Sequence, residues 1–383
     1  MGALTGMRVI EMAAHGPVPF CGLMLADMGA DIVRIDRLGE AHAPIALQKR
    51  KDVIARGRRS LGVDLKNPAG VELVLALCAG ASVLLEGSRP GVMERLGLGP
   101  DSCWRRNPRL VYGRATGWGQ TGPLAAMAGH DINYLAISGV LHGIGHRGER
   151  PVPPLNLVGD YGGGGMVLAV GILAALLETS RSGKGQVVDA AMVDGAALLQ
   201  TVFYGLAAMG QWRNERGCNF LDSGCFYYDV YETADGKFMS VGALEAKFFA
   251  LLVARLGLSV MDFPDRENPR LWDAYRQKMA AAFCTRTQAD WTEIFSGTDA
   301  CVAPVLTMQE ATTAATAIAR QAFIRIDGIT QPAPAPRFSR TPSDAHRPPP
   351  EPGEHTREVL LDAGFAQADI ERLVKCGAIE VDG

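Results

Sequence analysis

The chain of 383 residues is 48% apolar and carries 41 acidic against 38 basic side chains, for a formal net charge of -3. This length suggests two domains, because a single hydrophobic core stops growing at about 250–300 residues. The weak charge excludes a globally basic surface for nucleic acid, so an anionic ligand must meet a local cluster of Lys and Arg.

Alternating short apolar runs and helical patterns occupy the first half of the chain. Strands are predicted at 7–13, 31–36, 60–65, 82–85, 110–115 and 185–189, and helices at 20–28, 69–78, 163–179 and 191–209. This alternation is typical of an α/β fold with a mostly parallel sheet and helices on both faces. The apolar segment Met166–Leu177 is shorter than the about 20 residues that a bilayer span needs, so it is predicted as a core helix.

The composition changes after residue 225. Strand-like segments at 226–232 and 237–243 flank a hairpin turn at Thr233–Gly236, and helices are predicted at 246–256, 269–283 and 288–295. The prolines between 332 and 352 indicate an extended connector, and short helices follow near 355–363 and 367–375. We predict a large Rossmann-like domain at 1–190, completed by about 330–383, then a linker helix at 191–225, a small α+β domain at 226–305 and a return linker at 306–330.

The eight cysteines are scattered without a C-x-x-C pair, which argues against a structural zinc site or a thioredoxin-type centre. Met1–Thr5 has no basic segment ahead of an apolar one, and Glu380–Gly383 is not a terminus of the S-K-L type. We therefore expect a cytoplasmic protein with free thiols.

A glycine motif at Gly143–Gly148 matches G-x-G-x-x-G. Prolines at 151, 153 and 154 follow it where a dinucleotide-binding loop requires a helix, so a flexible loop is the favoured interpretation.

Basic residues follow the second strand, where a doubly wound sheet meets the ribose of a bound nucleotide. Arg34 and Arg37 lie at the end of that strand, and an arginine there suits a phosphorylated ribose. Further basic residues come next in the chain, at Lys49, Arg50, Lys51, Arg56, Arg58 and Arg59. A solvated basic loop is the alternative interpretation of this cluster.

Three strings are the most specific features of the sequence: AGHDINYL at 128–135, PPLNLVGDYGGGG at 153–165 and GKGQVVDAAMVDG at 183–195. With GADIVRIDR at 29–37, RPGVMERLGLG at 89–99, TGWGQTGP at 116–123, DACVAPVL at 299–306 and APRFSR at 335–340, they resemble the racemases of the class III CoA-transferase superfamily. The resemblance runs over essentially the whole chain. It implies racemisation of 2-methyl-branched acyl-CoA thioesters at the α-carbon, within fatty acid and lipid metabolism.

The resemblance also implies the site residues. It assigns catalytic roles to His130, Asp160 and Glu245. It assigns CoA contacts to Arg37, Val63, Asp64, Leu65, Lys66, Arg89, Gly129, Asp131, Ile132, Asn133 and Tyr134. It further implies an interlocked homodimer, in which Glu245 supports His130 across the subunit interface. No metal or organic cofactor is implied, since CoA is part of the substrate, and neither nucleic acid nor a membrane span is expected.

Inverting an α-carbon requires removal of a proton from one face and delivery of a proton to the other. Two groups are therefore needed, one acting as base and one as acid. The pKa of histidine, about 6.5, suits both roles, whereas an aspartate must have its pKa raised from about 3.9 to act as an acid. The enolate oxygen needs donors as well, and we expect them from backbone N–H groups at a helix start near Gly163, where glycines would let the backbone approach the thioester.

Structural alternatives exist for each residue when it is considered alone. His130 could simply precede a helix that Asp131 caps, Asp160 could be a turn residue, and Glu245 could be an acid at a helix start. Two rival functions also remain open. One is a CoA-transferase with Asp160 as nucleophile, and the other is a non-catalytic acyl-CoA-binding protein.

The sequence departs from the family pattern at Ser223–Phe226 and at Ala246–Lys247. These departures leave the acyl-chain preference open, and Lys247 could alter the ionisation of Glu245.

Overall fold

The computed structural model describes residues 2–38, 49–345 and 347–381. The chain forms two compact units, one of Met1–Ser138, Leu155–Leu199 and Ala319–Gly383, the other of Gly139–Pro154 and Gln200–Ile318. The predicted linker at 191–225 contributes its residues up to Leu199 to the first unit and those from Gln200 onwards to the second.

A six-stranded, all-parallel sheet forms the centre of the first unit, with the strand order β3-β2-β1-β4-β5-β6. Its strands are β1 (Arg8–Met12), β2 (Asp31–Arg37), β3 (Arg58–Val63), β4 (Val83–Glu86), β5 (Val111–Thr116) and β6 (Val187–Ala191). The predicted parallel α/β fold is confirmed. This strand order is that of the Rossmann fold, so a topological switch point lies between β1 and β4.

Helices cover both faces of this sheet because consecutive strand residues point in opposite directions. Ile10 and Val33 pack on one face with helices near residue 73 and residue 359, whereas Val9 and Ile32 pack on the other face with helices near residues 18 and 172. The helices up to residue 199 are α1 (Pro17–Asp27), α2 (Pro68–Ala79), α3 (Val92–Arg95), α4 (Pro100–Arg106), α5 (Asp131–Ser138), α6 (Val167–Ser182) and α7 (Met192–Leu199), with 3-10 turns at Lys49–Lys51 and Val53–Ala55.

A π-helical segment, Leu157–Met166, runs directly into α6. The continuous helix Leu157–Ser182 is long and apolar enough to cross a membrane by length and composition alone, and in the described part of the chain it is the one such helix. Within it, Leu168, Ile172 and Ala175 are buried, and α6 contacts β5 and β6. This burial is that of a core helix, as the sequence predicted.

The second unit is an α+β structure built on a three-stranded antiparallel sheet of order β7-β8-β9. Its core is aromatic: the ring of Phe226 lies 5.1 Å from that of Tyr275 and 5.3 Å from that of Phe263. The elements are α8 (Thr201–Ala208), β7 (Tyr228–Glu232), β8 (Phe238–Gly242), α9 (Ala246–Arg255), α10 (Trp272–Phe283), α11 (Gln288–Phe295), β9 (Val302–Pro304), α12 (Met308–Thr313) and α13 (Ala315–Ala319), with 3-10 turns at Leu141–Gly143 and Val260–Asp262.

The returning chain adds a hairpin that the sequence analysis missed, β10 (Phe323–Ile326) and β11 (Ile329–Pro332). Between its strands Asp327 and Gly328 both have positive φ, 47° and 78°. An Asp-Gly pair between two apolar segments is a strong hairpin signal, so this element was available from the sequence.

The last two helices, α14 (Thr356–Asp362) and α15 (Gln367–Lys375), pack beside the edge strand β3. The C-terminal segment hydrogen-bonds along this edge: the N–H of His355 donates to the carbonyl of Ser60 at 2.9 Å, and that of Asp64 donates to the carbonyl of Ala378 at 2.9 Å. The proline-rich connector is also held, because the N–H of Gly57 donates to the carbonyl of Arg347 at 3.0 Å. The C-terminal segment therefore covers an otherwise open sheet edge.

Candidate active site

The candidate site lies at the carboxyl edge of the parallel sheet, where α/β proteins bind their ligands. Gly16 follows β1 and is the N-cap of α1, while Arg89 follows β4 on the other side of the switch point. Gly117 and Trp118 follow β5 directly. Residues distant in sequence therefore converge at this edge.

Asp160 lies in the π-helical segment, with its carboxylate against Gly16. A Cβ atom at Gly16 would lie 3.2 Å from Oδ2 of Asp160, and Gly16 has a φ of 70°, which favours glycine. Nδ2 of Asn156 donates a 3.1 Å hydrogen bond to the same oxygen. π-Helical turns are rare and often occur at functional sites. The alternative that Asp160 is a turn residue is therefore wrong, because Asp160 lies within a helix.

The predicted helix start near Gly163 is wrong, because helical winding begins at Leu157 and Asp160 is already inside it. Four glycines of this segment, Gly159, Gly163, Gly164 and Gly165, are buried, and Gly163 and Gly165 allow close packing between helices. A Cβ at Gly163 would lie 2.7 Å from the backbone nitrogen of Ala196, and a Cβ at Gly165 would lie 2.9 Å from the carbonyl oxygen of Pro17. The backbone at Gly163 approaches α7 and that at Gly165 approaches α1, so these two glycines are required by helix packing.

Burial raises the pKa of Asp160 above its ordinary value, and the negative charge of Asp131 raises it further. Two groups oppose this shift and lower the pKa: the hydrogen bond from Asn156 and the charge of His130. The raised pKa favours the protonated carboxyl, which is the form that a general acid requires. The charge of His130 therefore acts on Asp160, although 30 positions separate the two residues in the sequence.

His130 directly precedes α5, and its side chain is exposed. Its backbone is fixed, because its N–H donates to Oδ1 of Asn133 at 3.0 Å and its carbonyl accepts from the N–H of Asn133 at 2.8 Å. Asp131 is only 8% exposed, and its Oδ1 accepts the backbone N–H of Asp160 at 2.8 Å. The alternative that Asp131 caps α5 is therefore wrong, since its carboxylate instead joins α5 to the π-helical segment.

Tyr134 forms the wall between these groups and the end of β5. Its ring is buried and lies edge-on to Trp118 at 4.8 Å, and its hydroxyl donates to the carbonyl of Gly129. Burial raises the pKa of Tyr134, the charge of Asp160 raises it further, and the charge of Arg89 lowers it. Arg89, Tyr134 and Asp160 are therefore electrostatic neighbours. Two other predicted CoA contacts of α5, Ile132 and Asn133, are exposed.

The remaining predicted CoA contacts lie on the other side of β1. Arg37, the last residue of β2, pairs in register with Val63, the last residue of β3. The side chain of Arg37 is exposed, whereas that of Val63 is buried. In the turn that follows, Oδ1 of Asp64 accepts the N–H of Lys66 at 2.9 Å, Leu65 packs against the core and Lys66 is exposed. The predicted contacts thus follow one edge, from β3 past the switch point to α5.

Three arginines of the basic cluster after β2 are available neither to CoA nor to solvent, because they are buried in ion pairs. These are Arg56 with Asp27 at 2.6 Å, Arg58 with Glu11 at 3.1 Å and Arg59 with Asp31 at 2.7 Å. A buried charge needs a partner, and each of these arginines has one within the first unit. Arg50 pairs with Glu354 at 2.7 Å, Arg34 with Asp36 at 2.9 Å and Lys51 is exposed, while the side chain of Lys49 is outside the described atoms.

Glu245 belongs to the second unit, where it is the N-cap residue of α9. Its exposed side chain makes no capping hydrogen bond, so the carboxylate is not used by its own helix. The backbone before it is fixed by Arg266, which donates to the carbonyl of Leu244 at 2.6 Å while its guanidinium lies over the ring of Phe249 at 4.8 Å. The ammonium of Lys247 lies over the ring of Phe248, 4.6 Å from its centre.

The sequence analysis missed two residues that contact Asp160, Asn156 and Gly16. Asn156 precedes Asp160 by four positions, which is one helical turn, so a helix predicted from Leu157 would have indicated it. No local signal indicates Gly16, because its contact is made across the fold. All eight cysteines are free thiols, and no three His, Cys, Asp or Glu side chains within 2–38, 49–345 and 347–381 are grouped to hold a metal ion.

Comparisons with known proteins identify relatives of this chain. A model of the family described as CoA-transferase family III matches residues 4–356. An alpha-methylacyl-CoA racemase of Mus musculus is 47% identical over 99% of this chain and 98% of that protein. An alpha-methylacyl-CoA racemase of Homo sapiens is 45% identical over 97% of this chain and 96% of that protein. The crystal structure of a CAIB/BAIF family protein from Brucella suis matches with a TM-score of 0.80 at 24% identity, over 94% of this chain and 99% of that chain, and so shows the same fold.

Proposed function

This chain belongs to CoA-transferase family III, and from that membership we propose that it racemises 2-methyl-branched acyl-CoA thioesters at the α-carbon. The observation that carries the proposal is the identity of 47% and 45%, over nearly the full chain, to two proteins named alpha-methylacyl-CoA racemase. The enzyme is therefore an isomerase that moves a proton between the two faces of one carbon.

His130 and Asp160 are the proposed acid–base pair. In one direction neutral His130 removes the α-proton and protonated Asp160 delivers a proton to the opposite face, and in the other direction the roles reverse. The raised pKa of Asp160 supports this assignment, because its protonated form must be available near neutral pH. Each positioned group of this kind typically contributes about 10²–10⁴-fold to the rate.

The nucleotide end of the CoA thioester is proposed to lie along the carboxyl edge of the sheet. Arg37 and Lys66 are exposed cations at one end of this edge, and Arg89 is an exposed cation beyond the switch point. Arginine forks suit phosphate groups, because two N–H donors can meet two oxygens. The acyl end then lies nearer to His130 and Asp160.

The active assembly is proposed to be a homodimer. The first unit exposes large apolar side chains at the end of the π-helical segment and on α6 and α7, with Met166 48%, Val170 66%, Leu177 56% and Leu198 61% exposed. A group of exposed apolar side chains of this size marks an interaction surface. In this dimer, Glu245 of the partner subunit orients His130.

The reaction is proposed to need no metal or organic cofactor, since acid–base chemistry by His130 and Asp160 suffices for proton transfer. Racemisation should persist after exhaustive dialysis against a chelator, and restoration by added metal would contradict this. A cytoplasmic location is also proposed, and fractionation of cells that express the chain tests it.

Incubation with one enantiomer of a 2-methylacyl-CoA in D₂O tests the function. We expect deuterium at the α-carbon together with loss of optical purity. His130→Ala and Asp160→Asn should each abolish racemisation, and a variant at an exposed residue elsewhere, Arg255→Gln, should leave it unchanged.

Two outcomes would replace the proposal. Transfer of CoA to a free carboxylic acid, without α-exchange, would show that Asp160 acts as a nucleophile in a transferase. Saturable binding of the thioester with neither exchange nor transfer would show a non-catalytic acyl-CoA-binding protein.

A further inference from the structure

The Gly143–Gly148 loop is not flexible, as the sequence had suggested, but fixed within the second unit. Arg216 holds it at two points: Nε donates to the carbonyl of His142 and Nη1 to the carbonyl of Glu149, both at 3.0 Å. Gly217 permits close packing, because a Cβ there would lie 2.5 Å from the backbone nitrogen of Arg147. The loop therefore presents Arg147 from a defined position.

Arg147 lines a cavity of about 400 Å³ that includes two further arginines, Arg213 and Arg270, beside the amide-bearing Asn268. Small-molecule sites are commonly about 300–1,000 Å³. The three cations come from three separate segments of the second unit, so only the fold brings them together.

The charge of this cavity is positive. Arg147 pairs with Asp273 at 2.5 Å, whereas Arg213 and Arg270 form no ion pair with any residue that the structure describes. Asp222 is nearby, but its carboxylate is occupied by N–H groups of its own turn, among them those of Gly217 at 2.9 Å and Asn219 at 2.7 Å. The lining of this cavity thus contains three arginines and no carboxylate.

A helix start adds further donors. The twelve-residue helix α10 begins at Trp272, which lines the cavity, and no side chain caps its N-terminus. Its first turn carries one acid, Asp273, whose carboxylate is paired with Arg147 and Arg276. The N–H groups of a first helical turn have no partner within the helix, and the helix dipole there favours an anion.

We infer that this cavity, lined by Arg147, Arg213 and Arg270, is a second anion site, for a ligand that carries a phosphate or pyrophosphate group. Arginine is suited to such groups, because its planar fork gives two parallel hydrogen bonds to phosphate oxygens. The two sources of this chemistry are a free inorganic anion and the nucleotide end of a CoA thioester.

Calorimetric titration of the full chain with inorganic pyrophosphate tests the inference. We expect the Arg213→Gln/Arg270→Gln variant to lose one binding site, or to bind there at least about tenfold more weakly. The matched control is Arg255→Gln, an exposed arginine at the end of α9, which should titrate like the unmodified protein. If the double variant does not fold, Arg270→Gln alone serves the same test, since Arg270 is exposed.

The proposed CoA site could also bind pyrophosphate, so a reciprocal variant is needed. Arg37→Gln/Arg89→Gln should retain the site that Arg213→Gln/Arg270→Gln loses. The inference would be overturned if the Arg213→Gln/Arg270→Gln variant had the same number of pyrophosphate sites and the same affinities as the unmodified protein. It would also be overturned if the Arg37→Gln/Arg89→Gln variant showed no saturable pyrophosphate binding.

Measurements of KM distinguish the two sources of the anion. If the ligand is the nucleotide end of the substrate, the Arg213→Gln/Arg270→Gln variant raises KM for acyl-CoA and leaves KM for an acyl-pantetheine substrate unchanged. If it is a free anion, both KM values stay as they are while pyrophosphate binding is lost. Either result supports an anion site, and neither depends on the assignment of His130 and Asp160.

Discussion

The backbone N–H of Asp160 donates a 2.8 Å hydrogen bond to Oδ1 of Asp131, which joins two segments 29 residues apart. Because His130 immediately precedes Asp131, this bond fixes the proposed base relative to the proposed acid. The buried carboxylate of Asp131 also acts through its charge, since it raises the pKa of Asp160.

Substitution of Asp131 separates these two effects. Asp131→Asn keeps an oxygen acceptor but removes the charge, so the pKa of Asp160 should fall. As the pH rises, Asp160 should then lose its proton, and with it the ability to act as an acid, at a lower pH than in the unmodified protein. Asp131→Ala leaves the N–H of Asp160 without an acceptor, and we expect a loss of kcat/KM of about tenfold or more. The pH profile of racemisation measures both, and identical profiles for Asp131→Asn and the unmodified protein would contradict the electrostatic role.

Asn156 should shift the pH profile in the opposite direction. Its hydrogen bond stabilises the ionised carboxylate of Asp160 and lowers its pKa, so Asn156→Ala should raise that pKa. Racemisation in the direction that uses Asp160 as the acid should then persist to higher pH. Asn214→Ala, at an exposed position in the second unit, is the control. A profile unchanged by Asn156→Ala would show that this hydrogen bond does not tune the acid.

Gly16→Ala should reduce activity through contact with Asp160. The new Cβ would lie 3.2 Å from Oδ2 of that residue, and the φ of 70° adds a backbone cost of about 1–3 kcal/mol. Gly6→Ala is the matched control, because Gly6 has a φ of 88° but nothing within 4 Å of the added Cβ. Both variants should lower the melting temperature, while only Gly16→Ala should lower kcat. Equal kcat values in the two variants would rule out a specific contact effect.

Mixed dimers test whether the active site is shared between subunits. His130→Ala chains should form inactive homodimers, and Glu245→Gln chains should form weakly active ones. If the partner subunit's Glu245 supports His130, a mixed dimer of the two variants contains one site with both substitutions and one site with neither. The activity of such mixed dimers should therefore return to at most about half of the unmodified level. Mass measurement in solution confirms the dimer, and failure to regain activity in a verified mixed dimer would place Glu245 and its His130 in the same chain.

The sequence predicted the parallel sheet and the two-base chemistry for different reasons. The strands and helices follow from the spacing of apolar residues, which is a local property, and most predicted elements lie within a few residues of the observed ones. His130, Asp160 and Glu245 were assigned by resemblance, because the physics of one residue type cannot tell which copy of it meets a substrate.

Errors occurred where a residue's role depends on a partner from another element. Arg58 was assigned to a basic cluster at the ligand edge, yet it is fully buried against Glu11, 47 positions away. The glycines after Asp160 were assigned to the thioester, yet they admit the backbones of α1 and α7.

The sequence by itself determined the alternation of strands and helices, and its resemblance to a family supplied the proposed reactive side chains. Only the tertiary structure decided that Asp131 holds the backbone of Asp160, that Gly16 and Asn156 border its carboxylate, and that Arg147, Arg213 and Arg270 line one cavity. The reason is physical: periodicity reports which face of an element is buried, whereas the pKa of a carboxyl and the charge of a cavity are set by groups that approach through space.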